Sequence, residues 1–205
     1  MHSLQSGFSS CVATLPLAGV DGQIADWFHQ RMTPTFADLL WLLSSPGSEI
    51  WIASSVILAI VILAWKRHWR GLALFFLAVP CGALLCEGLK LLVARPRPFP
   101  VGPFGEWGGY SFPSGHATGA TALYGVLLLL LLPAIENRRW RTVLMLSSAA
   151  VIVGVGFSRV ALGAHYLTDV LGGFTLGGAW VALCAMLVSA LQRKGPLEET
   201  ISTNP

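Results

Sequence analysis

The feature that most limits the possible folds is a series of long apolar segments joined by short polar ones. Five of these segments approach the roughly 20 residues with which a helix crosses a bilayer. They are Ile50 to Trp65, Gly71 to Val93, Ala117 to Ile135, Thr142 to Leu162 and Val170 to Leu191. Only 11% of the residues are charged, against about 25% in soluble domains. We therefore predict an all-α, polytopic membrane helix bundle of five to six transmembrane helices.

Two shorter helical patterns precede these spans. QIADWFHQRM and FADLLWLL carry apolar residues at helical spacing with charged residues between them, and Pro34 separates the two. This pattern is typical of interfacial amphipathic helices. FADLLWLL is alternatively the start of a sixth span, although SSPG at Ser44 to Gly47 should end it. The expected division is an amphipathic region at 1–48, a transmembrane domain at 49–191 and a polar tail at 192–205.

Charge and cysteine content exclude several classes of protein. The net charge is only +3, and the basic residues form short clusters between apolar runs, not a stripe with interleaved aromatic residues, so nucleic acid is not an expected partner. The cysteines lack both CxxC spacing and a paired framework, so we expect free thiols. They are Cys11, Cys81, Cys86 and Cys184. The N-terminus has no basic segment followed by an apolar core, so no cleaved targeting segment is expected.

The distribution of basic residues predicts an orientation. KRHWR, ENRRWR and QRK occupy alternate joints and hold eight of the 13 Lys and Arg residues. Because such residues are retained in the cytoplasm, these joints should be cytoplasmic. Four other basic residues fall on the opposite face, where an anionic ligand is the simplest explanation. They are Lys90, Arg95, Arg97 and Arg159.

The first polar cluster on that outer face is KLLVARPRP, which begins at Lys90. Pro96 and Pro98 prevent the helix from continuing, so Lys90 and Arg97 should point at one place. Taken alone, such residues are more often snorkelling anchors at the interface. Glu87 lies three residues before Lys90 on the same helix face, where it either holds Lys90 in place or satisfies a neighbouring helix.

The second cluster, SFPSGHATG, precedes an apolar helix that Ser111 or Ser114 can cap, with Pro113 suited to its start. The free amides of Ser114, Gly115 and His116 would then form a cradle for an anion. His116 beside the cradle can donate a proton to a departing alkoxide. The plainer alternative is a helix N-terminus with a polar histidine anchor.

The third cluster, SRVALGAHYLTD, begins at Ser158. His165 and Asp169 are four residues apart and share a helix face, so the carboxylate can orient the imidazole and direct its second nitrogen to phosphorus. Arg159 adds donors that match phosphate oxygens. A structural His–Asp pair is the alternative.

Together the three clusters resemble the type 2 phosphatidic acid phosphatase superfamily. Its signature is a Lys, six residues and Arg-Pro; then PSGH; then Ser-Arg, five residues, His, three residues and Asp. The matching positions are Lys90, Arg97, Pro98, Pro113 to His116, Ser158, Arg159, His165 and Asp169. The resemblance covers the second to the fifth predicted span.

The resemblance implies a metal-independent reaction without a cofactor. His165 attacks phosphorus to give a phosphohistidine, Asp169 orients it, and His116 acts first as acid and then as base. The expected phosphate-binding groups are Lys90, Arg97, Ser114, Gly115 and Arg159. The expected supporting residues are Glu87, Pro98, Pro113 and Ser158.

The expected activity is hydrolysis of a membrane lipid phosphate or diphosphate, with undecaprenyl diphosphate as the favoured substrate. Phosphatidylglycerophosphate, phosphatidic acid and lipid A phosphate are alternatives, and a lipid-phosphate transporter or binding protein is the non-enzyme alternative. Vanadate-dependent oxidation, known from related soluble haloperoxidases, is disfavoured by the predicted spans. The expected location is the bacterial cytoplasmic (inner) membrane with the site facing outward. The sequence gives no oligomeric state.

Overall fold

The computed structural model describes residues 18–193, which form a helical bundle. The helices are α1 Ala18–His29, α2 Pro34–Ser44, α3 Glu49–Trp65, α4 Trp69–Ala78, α5 Pro80–Val93, α6 Gly115–Leu131, α7 Arg138–Ala161 and α8 Leu167–Arg193. Single 3-10 turns follow α2 (Ser45–Gly47) and α6 (Leu132–Ala134). Two short antiparallel strands, β1 Val101–Gly102 and β2 Gly105–Glu106, lie in the α5–α6 connection. The predicted all-α class is confirmed.

Five helical stretches within residues 18–193 are long and apolar enough to cross a membrane. They are Pro34–Trp65, Trp69–Val93, Gly115–Ala134, Arg138–Ala161 and Leu167–Leu191. The first is longer than predicted, since α2 and α3 follow one another through the turn at Ser45–Gly47. The predicted end of α2 at this turn is confirmed. Large apolar side chains cover the outside of the bundle, including Trp65, which is 85% exposed. Lipid can cover such surface without the penalty that water imposes.

Some predictions fall on residues that the structure does not describe. The absence of a cleaved targeting segment and the state of Cys11 concern residues 1–17, and most of the polar tail lies at 194–205, so both regions are outside the described residues. The other three cysteines are free thiols, as predicted; they are Cys81, Cys86 and Cys184.

The second span is broken at Pro80, which the apolar pattern did not predict. A proline inside a helix removes one backbone hydrogen bond and clashes with the preceding turn, so α4 ends at Ala78 and α5 starts at Pro80. Near the break, the Leu77 carbonyl accepts a hydrogen bond from Trp180 Nε1 of α8 at 2.9 Å. The indole therefore fixes the bent span to α8.

Helices α6 and α8 approach one another closely through two glycines. A Cβ atom on Gly173 would lie 2.8 Å from the Ser114 carbonyl oxygen, and one on Gly177 would lie 2.8 Å from the Thr118 carbonyl oxygen. Small residues at four-residue spacing allow such contact between membrane helices. As a result, the start of α8 lies beside the start of α6.

Helix α1 packs on protein with its apolar side. Ile24 and Phe28 contact a buried cluster formed by Ala117, Val160 and Val170. The amphipathic pattern of α1 was predicted to place it at the membrane interface, and such a pattern does not distinguish burial against protein from burial in lipid. The contacts place α1 on the bundle end where α6 and α8 begin and α7 ends.

Candidate active site

The three polar clusters converge on one cavity of about 920 Å³ at the end of the bundle. Helices α5 and α7 end there, and α3, α6 and α8 begin there. The predicted site residues that line the cavity are Glu87, Lys90, Arg97, Gly115, His116, Arg159 and His165. The other predicted residues lie behind this wall; they are Pro98, Pro113, Ser114, Ser158 and Asp169.

Lys90 lies in the last turn of α5, above the start of α6. Its Nζ is 2.6 Å from Glu87 Oε1, which is the ion pair that the spacing of these residues suggested. A Cβ on Gly115 would lie 3.2 Å from Lys90 Nζ, so the absence of a side chain at Gly115 lets the ammonium approach the backbone. The cation and the helix N-terminus thus face the same space.

Arg97 is held in place by backbone carbonyls of the loops around it. Its Nη1 donates to the Ala164 carbonyl at 2.8 Å, and its Nη2 donates to the Gly108 carbonyl at 2.6 Å. The same Nη1 lies 3.3 Å from His165 Nε2. Burial lowers the pKa of Arg97, against the opposing effect of nearby carboxylates. The guanidinium is therefore fixed beside the predicted nucleophile.

His165 is buried, and its tautomer follows from its hydrogen bond. Nδ1 lies 2.7 Å from the Ser111 carbonyl oxygen. Because a carbonyl can only accept, Nδ1 carries the proton and Nε2 presents its lone pair. Burial lowers the pKa of His165 to about 4; the nearby Asp169 carboxylate opposes this, and the charges of Arg159 and Arg97 add to it. The imidazole is thus neutral near pH 7.

Asp169 orients the imidazole by a different route from the one predicted. Its Oδ2 is 3.7 Å from His165 Nδ1, too far for a hydrogen bond. Instead the carboxylate accepts hydrogen bonds from the Ser111 hydroxyl, from Tyr166 N at 2.8 Å and from Arg95 Nη1 at 2.5 Å. Asp169 therefore fixes Ser111, whose carbonyl fixes His165.

Arg159 is buried on α7 and keeps unused donor capacity at the cavity. Nη1 donates to the Ser44 hydroxyl at 3.2 Å, and the guanidinium carbon lies 4.8 Å from the centre of the Trp107 ring. Its Nε has no hydrogen-bond partner within residues 18–193. Ser158, one residue earlier, turns inward and donates to the Val155 carbonyl at 2.7 Å. Because Arg159 lines the cavity, its positive charge suits an anion there.

The start of α6 supplies fewer free amides than predicted. Ser114 caps the helix, since its hydroxyl accepts from Ala117 N at 3.5 Å. Its own N–H donates to the Asp169 carbonyl at 3.0 Å and is not available to a ligand. In the part of the chain that the structure describes, the amides of Gly115 and His116 have no acceptor. These two amides face the cavity as an anion cradle.

The two prolines behind the wall shape the segments that carry the site. Pro98 directly follows Arg97, after α5 has ended at Val93. Pro113 is fully buried after a cis Phe112–Pro113 bond, and its carbonyl lies 3.9 Å from Cys86 Sγ.

Two residues of the site were not predicted, Arg95 and Asp21. The sequence grouped Arg95 with cations explained by an anionic ligand, but the structure pairs it with Asp169 and Asp21 at 2.5 and 3.0 Å. Asp21 belongs to α1 and also contacts Thr168, 147 residues away. No spacing rule connects residues so distant in sequence.

The cavity also has an apolar half, where α3 faces the break between α4 and α5. Its apolar lining residues are Ile52, Ala53, Val56, Ile57, Val79, Pro80 and Ala83. A ligand with a charged head and an apolar tail fits this division. No group of three or more His, Cys, Asp or Glu side chains that suits a metal ion occurs among residues 18–193.

Comparison with known proteins decides the family. The model of the PAP2 superfamily matches residues 69–193. The chain belongs to this superfamily. The resemblance inferred from the three motifs is thereby confirmed, and the matched PAP2 region begins at α4, so α1 to α3 precede it.

Several curated relatives of this PAP2 protein are named as lipid phosphatases. Phosphatidylglycerophosphatase B of Bacillus subtilis is 36% identical over 134 residues, which are 61% of this chain and 64% of the relative. Lipid A 1-phosphatase of Rhizobium johnstonii is 35% identical over 60% of this chain and 49% of the relative. Undecaprenyl-diphosphatase of Sulfolobus acidocaldarius is 31% identical over 88% of this chain and 82% of the relative. The match thus spans about half to two thirds of the first two relatives.

Solved structures agree with the PAP2 assignment. A transmembrane PAP2-type phosphatidylglycerolphosphate phosphatase from Bacillus subtilis superposes with a TM-score of 0.76, at 26% identity and 93% coverage of each chain. LpxE of Aquifex aeolicus, 19% identical over 82% of this chain and 95% of the other, shares the fold with a TM-score of 0.58. With its five apolar stretches, this PAP2 protein is an integral membrane protein.

Proposed function

We propose that this PAP2 protein hydrolyses a membrane lipid phosphate or diphosphate through a phosphohistidine on His165, without a metal. The observation that carries the proposal is the state of His165. Its Nδ1 is bound to a carbonyl, while its Nε2 presents a lone pair to a cavity lined by cations. A site that only binds a head group needs the cations and has no use for a nucleophile in a fixed tautomer.

In the first step, His165 Nε2 attacks the terminal phosphorus of the substrate. In a lipid monophosphate the bond from that phosphorus to the lipid oxygen breaks. In a lipid diphosphate the bond from that phosphorus to the bridging oxygen breaks. The departing oxygen takes a proton from His116, at the start of α6 in the same cavity. Such proton transfer typically contributes about 10²- to 10⁴-fold to the rate. The lipid alcohol or shorter phosphate leaves, and the phosphoryl group stays on His165.

In the second step, water replaces His165 at phosphorus. The now neutral His116 removes a proton from that water, and the phosphohistidine bond breaks to give inorganic phosphate and restore Nε2. Charge on the equatorial phosphoryl oxygens is stabilised by fixed donors. We assign this role to the side chains of Lys90, Arg97 and Arg159, the amides of Gly115 and His116, and the Ser114 segment that carries them.

The apolar half of the cavity supports a lipid as substrate. Ile52 and Val56 of α3 face Val79 and Ala83 at the break in the second span. We propose that the hydrocarbon chain of the substrate enters from the bilayer between these helices. The head group then reaches the cations without leaving the membrane surface.

Among lipids, we favour a polyprenyl diphosphate such as undecaprenyl diphosphate. A relative that aligns with 88% of this chain is named undecaprenyl-diphosphatase, and this name supports the choice. Phosphatidylglycerophosphate is the second candidate, since the Bacillus subtilis structure with a TM-score of 0.76 is named for it. We place the site on the outer face of a bacterial cytoplasmic membrane, because the basic α3–α4 and α6–α7 joints lie at the opposite end.

The test is phosphate release by the purified protein in detergent, with chelator present. The substrate panel is a polyprenyl diphosphate, phosphatidylglycerophosphate, phosphatidic acid and a lipid A 1-phosphate. We expect turnover to persist in chelator and alkaline quenching to trap phosphate on the protein. His165→Asn should lose turnover by about 10³-fold or more and trap none. Loss of wild-type turnover in chelator, or full activity of His165→Asn, refutes the mechanism.

A further inference from the structure

Asp21 is a carboxylate of α1 that the mechanism above does not use. It is only 2% exposed, and it lies outside the segment that matches the family model. Its Oδ1 accepts from Thr168 N at 3.1 Å, and its Oδ2 accepts from the Thr168 hydroxyl and pairs with Arg95 Nη2 at 3.0 Å. These three donors offset the cost of burying the negative charge of Asp21.

Arg95 connects Asp21 with Asp169. While Nη2 holds Asp21, Nη1 pairs with Asp169 Oδ1 at 2.5 Å and donates to the Thr168 hydroxyl at 2.8 Å. The guanidinium carbon of Arg95 lies 4.1 Å from the centre of the Tyr166 ring, so this ring covers one face of the guanidinium. Only the planar fork of an arginine holds two carboxylates in this way.

Both carboxylates also act on the first turn of α8. Asp169 accepts from the N–H of Tyr166, the residue before the helix, and Asp21 accepts from the N–H of Thr168. Negative charge at a helix N-terminus is favourable, because the unpaired amides there carry partial positive charge. Asp21 thus acts as a cap that α1 provides for α8.

These contacts form one path to the nucleophile. Asp21 fixes Arg95, which fixes Asp169; Asp169 binds the Ser111 hydroxyl, and the Ser111 carbonyl binds His165 Nδ1. Neither Asp21 nor Arg95 lines the cavity. Any effect they have on the reaction is therefore indirect, through Asp169 and the residues that Asp169 positions.

We propose that Asp21 and Arg95 are positioning residues for the phosphohistidine reaction, an inference that rests on the proposed function, and that docked α1 is part of the catalytic unit. Removal of one partner from a buried ionic group leaves the others uncompensated. In Asp21→Asn, Arg95 loses one of its two anchors, and the orientation of Asp169 and Ser111 is less restricted. The in-line approach of Nε2 then becomes less frequent.

The test compares Asp21→Asn and Arg95→Lys with Asp26→Asn, a matched change at an exposed position of the same helix. We expect kcat to fall about 10-fold or more in the first two variants, with KM nearly unchanged. Inhibition by vanadate, which mimics the transition state at His165, should weaken in parallel, while inhibition by inorganic phosphate is unchanged. Asp26→Asn should match the wild type in every measurement.

A double variant tests whether Asp21 and Arg95 act through one path, and inhibition by phosphate separates positioning from loss of stability. If both residues act through one path, Asp21→Asn combined with Arg95→Lys loses no more kcat than the worse single variant. Equal kcat for Asp21→Asn and Asp26→Asn overturns the inference. The inference is also overturned if inhibition by phosphate is lost in step with kcat, because that result indicates unfolding of the site. A wild type that hydrolyses nothing in the panel refutes the proposed function and this inference with it. An active wild type with insensitive variants refutes the inference alone.

Discussion

Alanine at Gly173 tests whether the contact between α6 and α8 sets the geometry of the site. The new Cβ would lie 2.8 Å from the Ser114 carbonyl oxygen and 2.9 Å from Ala117 Cβ, whereas ordinary contact begins at 3.4 Å. Both neighbours are fixed parts of α6, so the helices must separate by about 0.6 Å, the difference between 3.4 and 2.8 Å. Overpacking of this kind costs about 1 to 3 kcal/mol.

The separation also affects catalysis, because His165 lies two residues before α8 while His116 and the anion cradle belong to the start of α6. The bond from Ser114 N to the Asp169 carbonyl, 3.0 Å long, joins the two helix starts and would be stretched. A displacement of up to 1 Å can cost about 10²-fold in rate, so we expect Gly173→Ala to lower kcat about 10- to 100-fold. Steady-state phosphate release and the melting temperature in detergent measure the two effects.

Gly178 provides the matched control, since a Cβ there meets nothing within 4 Å. Gly178→Ala should keep wild-type kcat and wild-type or slightly higher stability, because alanine is the better helix former. If Gly173→Ala retains full kcat, the close approach of α6 and α8 does not position the catalytic groups. If both variants lose kcat equally, the effect is not due to the contact with Ser114.

Three further predictions concern single groups of the site. The His165 ring should titrate near the pKa of about 4 that burial imposes, as measured by NMR with His165→Asn used to assign the signal. Because the pKa is lowered in the folded state, the contribution of neutral His165 to stability is present above pH 6.5 and is lost as pH falls towards 4. Titration near 6.5 would contradict this. Glu87→Gln should raise KM a few-fold at nearly constant kcat, a small effect because Glu87 is 65% exposed and solvent screens the pair; unchanged kinetics exclude a positioning role for Glu87. Ser111→Ala keeps the carbonyl that binds His165 but removes the hydroxyl from Asp169, so kcat should fall about 10-fold, and wild-type kcat would show that Asp169 acts without Ser111.

The sequence predicted the architecture well because the dominant signal, apolar length, is local. The number of spans agrees, and the turn at Ser45–Gly47 was recognised from its residues. The break at Pro80 was missed because the apolar run continues through it. The packing of α1 on protein was not predicted, since an apolar helix face does not identify its partner.

The parts of the site that are charged or titratable side chains could be predicted, because the residue type alone indicates their chemistry. Lys90, Arg97, Arg159 and both histidines reach one cavity, as their charges and spacing suggested. The partner of His165 Nδ1 was not predictable, since it is a backbone carbonyl, a group that every residue has. That contact depends on the path of the α5–α6 connection, which no short-range pattern encodes.

The hydrogen bond from Trp180 to the Leu77 carbonyl connects two parts of the site to one helix at a point deep inside the bundle. Trp180 lies eleven residues beyond Asp169 on α8, about 16 Å deeper along the helix. Helix α8 therefore carries Asp169, which orients the nucleophile, and also contacts the bent span that contains Lys90. We expect that a change in bilayer thickness that tilts α8 moves both sides of the phosphate pocket together and so preserves their relative geometry.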